Sequence, residues 1–469
     1  MKKLPSHHEY LIISILALGL FMESVDSTIL TIAIPKMALS FQDSPLNLKV
    51  ALTSYLISLA IFIPVSSWIA EKIGTRQIFR TAMLTFCLGS LLCGISTNLY
   101  ELVIARILQG VGGAFMMPVG RLILVRVFEK HKLVKAMTTI TITANLGFAV
   151  GPVLGGFITT YLNWRWIFFI NLPFGLLGAF LAHKYFFNYR SSHLRPFDTV
   201  GFFLFGFGLA ICTFSFDTLG EKFLSLTGQI AIFCCGIILL IGYFLHARQL
   251  KAPLLEIRLF KLRTFRIAFL GNVVARIATG GMIFMMPLYL QIAHHLTAWE
   301  AGWLLLSIAI GMVIMKPIMG KILFSFGYSH ILRTNTIIIA ILIYSFTLFS
   351  DPLNKTQVIL CLFLYGMTLS VQYPLINSLY FANISRKRIN NATTIVNTVQ
   401  QLFTSTGVGV SAILLMIFAK SIFSVNEKLT TVVFHQAFLV MAIIALAGSS
   451  VFWWLKSTDG KEIIGKNVG

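Results

Sequence analysis

Apolar stretches of about 20 residues, parted by short polar and basic stretches, run from one end of this 469-residue chain to the other. Wound as α-helices, stretches of that length cross about 30 Å of hydrocarbon. The pattern predicts spans at 11–34, 48–70, 78–97, 100–125, 136–160, 166–187, 198–218, 227–246, 266–291, 299–324, 330–350, 356–381, 392–418 and 432–455. Fourteen helices leave no room for a sizeable soluble domain, so the expected class is an all-α polytopic membrane protein. An even number of crossings also returns both termini to one side.

Composition agrees, with 57% hydrophobic and 11% charged residues and a mean hydropathy of +0.85, outside the range of soluble domains. The formal charge of +21 would suggest a nucleic-acid partner on a soluble chain. Here the basic blocks "RQIFR", "RVFEKHKLVK", "RLFKLRTFR" and "SRKRIN" fall in every second loop. Roughly 26 of the 37 Lys and Arg lie on one side, about 7 on the other and about 4 within spans. That asymmetry orients a membrane protein with both termini cytoplasmic and leaves no nucleic-acid partner to invoke. The start "MKKLPSHHEY" precedes a span too long for a signal-peptide core and is expected to belong to a retained first helix. The six cysteines fall in apolar runs without metal-ligand spacing and read as buried small hydrophobes.

An internal repeat divides the chain. "SSWIAEKIGTRQIFR" follows the second span and "GKILFSFGYSHILR" the tenth: Ser67 to Gly74 matches Gly320 to Gly327 in spacing, and Arg80 matches Arg333. The expected organisation is a six-helix bundle over 1–190, a linker with two additional spans over 191–262, and a second six-helix bundle over 263–469. The extra pair carries few polar groups and is expected at the lipid-facing periphery. Repeated halves around a midplane site are the architecture of secondary transporters, which expose the site to alternate sides by rocking.

Within this apolar background the charged and small residues stand out. Glu23 and Asp26 sit inside the first span, three residues apart and so on one helix face. A carboxylate at that depth costs roughly 3 kcal/mol on insertion scales, so a partner or a function is expected. Arg106, in "ARILQGVGGAFMMPVGR" of the fourth span, cannot shed its proton and needs a carboxylate or carbonyl; Glu23 or Asp26 is the natural candidate. The alternative is a purely structural salt bridge. Gly110, Gly112 and Gly113 of that span let another backbone approach. Glu71, Lys72 and Arg76, around the turn residue Gly74, can pair across helix ends as a conformational latch, or form only a solvated basic loop. In the fifth span, Gly147, Gly151, Pro152, Gly155 and Gly156 give a grooved face and a kink, hence a helix both closely packed and pliable.

These stretches resemble the major facilitator superfamily, in its fourteen-span drug:proton antiporter branch, and the resemblance covers essentially the whole chain. "VDSTILTIAIP" is similar to the first-helix signature L-D-x-T-x-x-N-x-A-x-P, through Asp26, Thr28, Ala33 and Pro35, with Thr31 where Asn is usual. "SSWIAEKIGTRQ" resembles the loop motif G-x-L-A-D-x-x-G-R-K through Ala70, Gly74 and Arg76, with Ser67 for Gly and Glu71 for Asp. "RILQGVGGA" resembles R-x-x-Q-G-x-G-x-A through Arg106, Gln109, Gly110 and Gly112, and "GFAVGPVLGG" matches G-x-x-x-G-P-x-x-G-G. The resemblance implies a location in the bacterial inner membrane. It also implies proton-coupled export, with the fourth-helix arginine in proton transfer.

Glu23, Asp26 and Arg106 are therefore expected to couple protons, because burial and a neighbouring arginine push a carboxyl's affinity for protons in opposite directions. Arg276, Lys316, Gln109, Met282 and Met286 are expected at the substrate cavity. If Arg276 and Lys316 both face it, complementarity favours an organic anion such as a citrate-like chelate or siderophore over a lipophilic cation. Lys316 has a second reading, near a helix end with its amine reaching water. Convergent catalytic groups are not evident, since His294 and His295 merely adjoin at a helix end, and no phosphate-binding loop is present. The expectation is a transporter without cofactor, driven by the proton gradient. It would act as a monomer in the bilayer on a small molecule, and a non-transporting receptor is the remote alternative.

Overall fold

The structure, a computed structural model, describes residues 6–191, 194, 196–218, 225–350, 352–385, 388–422, 429–456 and 459. Helix is the dominant element and no strand occurs among the described residues, as expected where the surrounding hydrocarbon offers backbone groups no hydrogen bonds. The helices are α1 (Ser6–Phe41), α2 (Lys49–Ile73), α3 (Thr75–Ile95), α4 (Leu99–Val127), α5 (Lys130–Tyr161) and α6 (Trp166–Tyr185). An extra pair follows, α7 (Thr199–Asp217) and α8 (Leu226–Gln249). Next come α9 (Arg263–Leu288, running on as a π-helical turn over Tyr289–Ala293), α10 (298–326) and α11 (328–345). The last three are α12 (Lys355–Phe381), α13 (Ile389–Ile422) and α14 (Thr431–Phe452).

Among the described residues thirteen helices qualify as spans by length and apolarity, one of them reaching from Ala298 to Leu348. Its 48-residue α-helical part would measure about 72 Å if straight, more than twice the hydrocarbon thickness. It breaks at Gly327, whose φ of 72° and ψ of 168° lie outside the helical region. Counted as two spans, it restores the fourteen read from the sequence.

Gly327 also makes the repeat visible. Gly74 and Gly327 are the two glycines with positive φ among the described residues, and each ends the second helix of its group of six. Arg80, which matches Arg333, contacts His183 Nδ1 on α6 at 3.2 Å. Arg333 donates to the carbonyls of Phe452, Trp453 and Leu455 at the end of α14. Each arginine thus ties the third helix of its group to the sixth.

Glycine contacts repeat as well. A Cβ on Gly147, Gly151 or Gly155 of α5 would strike α1, and one on Gly280 or Gly407 would close the equivalent α9–α13 contact. Likewise Gly110 of α4 rests on Tyr55 and Ser58 of α2, and Gly366 of α12 on Ile308 of α10.

The extra pair is not wholly peripheral. α8 does turn Ile230, Phe233, Ile237, Ile238, Ile241, Phe244 and Leu245 outward. There Cys234 and Cys235 are exposed instead of buried as the sequence suggested, because the helix has neighbours on one side only. α7 instead packs on α2, through Phe62–Phe202 and a cluster of Ala60, Phe205 and Leu209 that Leu402 of α13 joins. At its far end Asp217 accepts a 2.6 Å hydrogen bond from Thr53, and Phe216 lies against Gly409 of α13. It therefore lies over the seam between the two groups of six.

The two groups touch on the face away from the basic loops. Gly156 faces the backbone of Ala298 and Trp299, and Gly302 faces the backbone of Pro152 and Val153, so α5 and α10 meet without intervening side chains. Trp299 N donates to Thr160 and Gln291 Nε2 to the Ile32 carbonyl. Towards the basic face the same two helices are bare on several sides: Lys135, Thr139, Thr141 and Ile142 on α5, and Val313, Ile314, Lys316, Lys321 and Phe324 on α10 are exposed. The molecule is closed on one face and open on the basic one.

Candidate functional site

α1 and α4 meet in the first six helices at a fully buried ion pair. Asp26 and Arg106 have completely buried side chains, and Arg106 Nη1 lies 2.7 Å from Asp26 Oδ2. Residues 106 and 109 share a face of α4, and Gln109 Nε2 donates to Asp26 Oδ1 at 2.8 Å while its Oε1 accepts from Arg106 Nη1 at 2.7 Å. Asn171 of α6 gives Oδ1 a second donor at 3.1 Å and holds Ser90 Oγ at 3.0 Å. Arg106 Nε donates to the carbonyl of Ala51 on α2. Its guanidinium lies over the Tyr55 ring, 4.3 Å from the centroid, while Nη2 is buried with no hydrogen-bond partner. The aspartate is thus a carboxylate with three side-chain donors, held between α1, α4 and α6.

Glu23, one turn earlier on α1, lies outside that set of bonds. Its Oε2 is buried without a hydrogen-bond partner, and the positive charge acting on it is Arg121 of α4. The two acids differ in that Asp26 is saturated with donors and Glu23 is open to a proton or to a rearranged neighbour.

Between the two groups of six lies a cavity of about 70 Å³. Thr28 and Thr31 of α1, Phe148 and Pro152 of α5, and Met282 and Met286 of α9 contribute to a wall that is almost entirely apolar. Leu305, Ile308 and Ala309 of α10 and Tyr365 and Leu369 of α12 complete the far side. Thr28 follows Asp26 by two residues, so one helix carries both the ion pair and part of the cavity wall.

Of the residues expected at the cavity, Met282 and Met286 are in its wall and three are not. Gln109 is fully buried in the Asp26–Arg106 cluster, because its spacing from Arg106 turns both to α1. Arg276 stands one turn before the wall residue Thr279, stacked on Tyr373 at 3.9 Å; its Nε is buried without a partner and no carboxylate pairs with it among the described residues. Lys316 is exposed on the basic-face half of α10, where a long side chain keeps its amine in water.

The latch expected of Glu71, Lys72 and Arg76 is not formed among the described residues. Lys72 lies over the Trp68 ring, 4.9 Å from its centroid. The segment after α6 takes up the turn's backbone: Ser191 N donates to the Glu71 carbonyl, Thr75 N to the Tyr189 carbonyl and Arg190 Nε to the Ile73 carbonyl. Glycine suits position 74 because its φ of 119° is one that residues with a Cβ rarely adopt. The five residues of the fifth-helix motif divide between two partners. Gly147, Gly151 and Gly155 seat α5 on α1, while Pro152 and Gly156 meet α10.

Sequence reasoning missed Asn171, Tyr55, Arg121 and the Ala51 carbonyl. Asn171 left one trace, a lone amide inside an apolar run, "IFFINLPFGLL".

The family model of the Major Facilitator Superfamily matches residues 16–408. The chain is 36% identical over 443 residues to the MdtD multidrug resistance protein of Escherichia coli O157:H7, a match covering 93% of each. It is 34% identical over 441 residues to the MdtD protein of Yersinia enterocolitica serotype O:8, again covering 93% of each. Among solved structures, an auto-inhibited POT family peptide transporter superposes with a TM-score of 0.72 at 12% identity, covering 97% of this chain and 98% of that one. A D-xylose-proton symporter gives 0.69 at 13% identity, covering 97% and 99%. At such identities the likeness speaks for the fold alone.

Proposed function

This chain belongs to the major facilitator superfamily, and from that premise we propose that it exports small amphipathic compounds in exchange for protons by alternating access. The observation that carries the reading is the apolar cavity between the two groups of six, with Thr28 in its wall and Asp26 two residues away on the same helix. Basic loops mark the cytoplasmic face, so the open side admits a compound from the cytoplasm and the α5–α10 contact closes the other exit. The likeness to multidrug resistance proteins over 93% of their length supports the same substrate class.

Proton exchange falls to the two acids of α1. Protonating Asp26 removes the counter-charge of Arg106, whose remaining acceptors are Gln109 Oε1 and the Ala51 carbonyl. The first group of six then no longer holds α1, α4 and α6 in one arrangement. Glu23 is the other proton acceptor, since no donor occupies its Oε2. The fifth-helix motif is the pivot, since Gly147, Gly151 and Gly155 seat α5 on α1 while Pro152 and Gly156 meet α10.

The test is transport in proteoliposomes under an imposed pH gradient, comparing lipophilic cations with carboxylate compounds. Wild type should move lipophilic compounds against proton flux, and Asp26→Asn should bind them without gradient-driven movement. Undiminished gradient-driven transport by that variant would overturn the coupling role. A second reading, export of an organic anion, is favoured by Arg276, the buried guanidinium without a carboxylate near Thr279. Transport restricted to the carboxylate compounds would establish it.

A further inference from the structure

A second concavity, unrelated to the central cavity, opens on the basic face between the end of α8 and the start of α9, with a volume of about 560 Å³. Four cations line it: Arg248 from the last turn of α8, Arg258 and Lys261 from the 3-10 helix Ile257–Lys261, and Arg266 from the first turn of α9. Phe244, Ile257 and Phe260 are its apolar lining. Side chains from three successive elements thus converge on one hollow.

Several other cations of the basic face are committed to acceptors within the chain, and those that are not stand singly. Lys132 pairs with Glu9, Arg263 with Asp459 and Arg388 with Glu256, while Arg190 and Arg333 donate to carbonyls. Arg248, Arg258, Lys261 and Arg266 form no hydrogen bond or ion pair among the described residues. The acids nearest in sequence are engaged elsewhere: Glu256 holds Asn391 and Arg388, and Asp198 holds His246 and the Leu254 amide. Orienting a span requires basic residues on that side, but it does not require them gathered unpaired around one hollow.

We propose that this hollow binds the phosphodiester headgroup of an anionic phospholipid. Basic pockets between spans on the cytoplasmic side suit such headgroups. The source is a lipid because the hollow continues into a lipid-facing surface. Phe244 is 49% exposed and forms part of the lining, and Ile241, Leu245, Ile237 and Ile238 continue outward along α8. An acyl chain runs along that ridge while the phosphate sits among the four cations. The bound lipid ties the extra pair to the last six helices, independently of the compound transported.

The full chain in detergent, titrated with phosphatidylglycerol or phosphatidylcholine and followed by native mass spectrometry, tests the site. Phosphatidylglycerol should be retained in preference. At about fivefold for each basic residue, R248Q/R258Q/R266Q should weaken it about 100-fold. K135Q/K184Q, two exposed lysines of the same face, should leave it unchanged. Equal retention by the triple variant, or displacement of the lipid by inorganic phosphate alone, would overturn the proposal. If the triple variant fails to fold, wild type in vesicles containing photoactivatable phosphatidylglycerol decides the question: labelling should concentrate on residues 241–266, and labelling spread evenly over the basic face defeats it.

Discussion

Replacing Asp26 by Asn tests the buried cluster most directly. The carboxylate presents acceptors on both oxygens: Oδ2 takes Arg106 Nη1, and Oδ1 takes Gln109 Nε2 and Asn171 Nδ2. An amide has one acceptor and one donor end, so either orientation sets an NH2 against a donor, Arg106 in one and Gln109 with Asn171 in the other. The larger effect is that Arg106, with no exposed surface, loses its counter-ion. Removing one partner of a buried pair costs about 3–5 kcal/mol, mostly from the charge left behind. Asp26→Asn should therefore lower the equilibrium unfolding free energy of the purified chain by about that much. Arg106→Gln added to it should restore about 2–3 kcal/mol, since the stranded charge is gone. Unfolding of the two single variants and the double variant, followed by tryptophan fluorescence in one detergent, closes the cycle. Strict additivity, or an Asp26→Asn variant within about 0.5 kcal/mol of wild type, would refute the reasoning.

Gly302→Leu places a Cβ 2.5 Å from the Pro152 carbonyl, and that backbone can yield only if α5 and α10 part. Overpacking of about 1–3 kcal/mol should shift the equilibrium towards opening at that face by tenfold or so, read as faster labelling of Thr160→Cys, in a chain cleared of its native cysteines, by an impermeant thiol reagent. Arg276→Gln should raise unfolding stability by about 1–3 kcal/mol, because it removes a buried charge without a carboxylate, net of the lost stacking on Tyr373. A clear loss instead would mean the guanidinium is satisfied as it stands. Asn171→Ala should cost about 1–3 kcal/mol through the donors lost to Asp26 and Ser90, and in the Asp26→Asn background the cost should shrink; equal costs in both backgrounds would contradict the shared bonding.

Much of the architecture follows from the order of residues. Fourteen spans and the repeated turn at Gly74 and Gly327 are properties of local composition, and a helix in hydrocarbon satisfies its own backbone wherever it packs. The partnership of Asp26 with Arg106 was legible for a related reason: two opposite charges in apolar spans have few other places to go. The spacing of Arg106 and Gln109 also puts both on one face, although Gln109 was expected at the cavity.

Tertiary structure decided which neighbours complete each group. Asn171, Tyr55 and the Ala51 carbonyl reach the ion pair from helices whose rotation about their axes is fixed by packing, a quantity that nearly uniform apolar sequences leave open. The same holds for the latch, where the segment after α6 has taken the turn's backbone, and for α7, seated over a seam that neither of its neighbours' sequences marks. Spans and charges are written residue by residue. Which side of a helix meets which partner depends on contacts summed over the whole bundle, and only the assembled helices determine it.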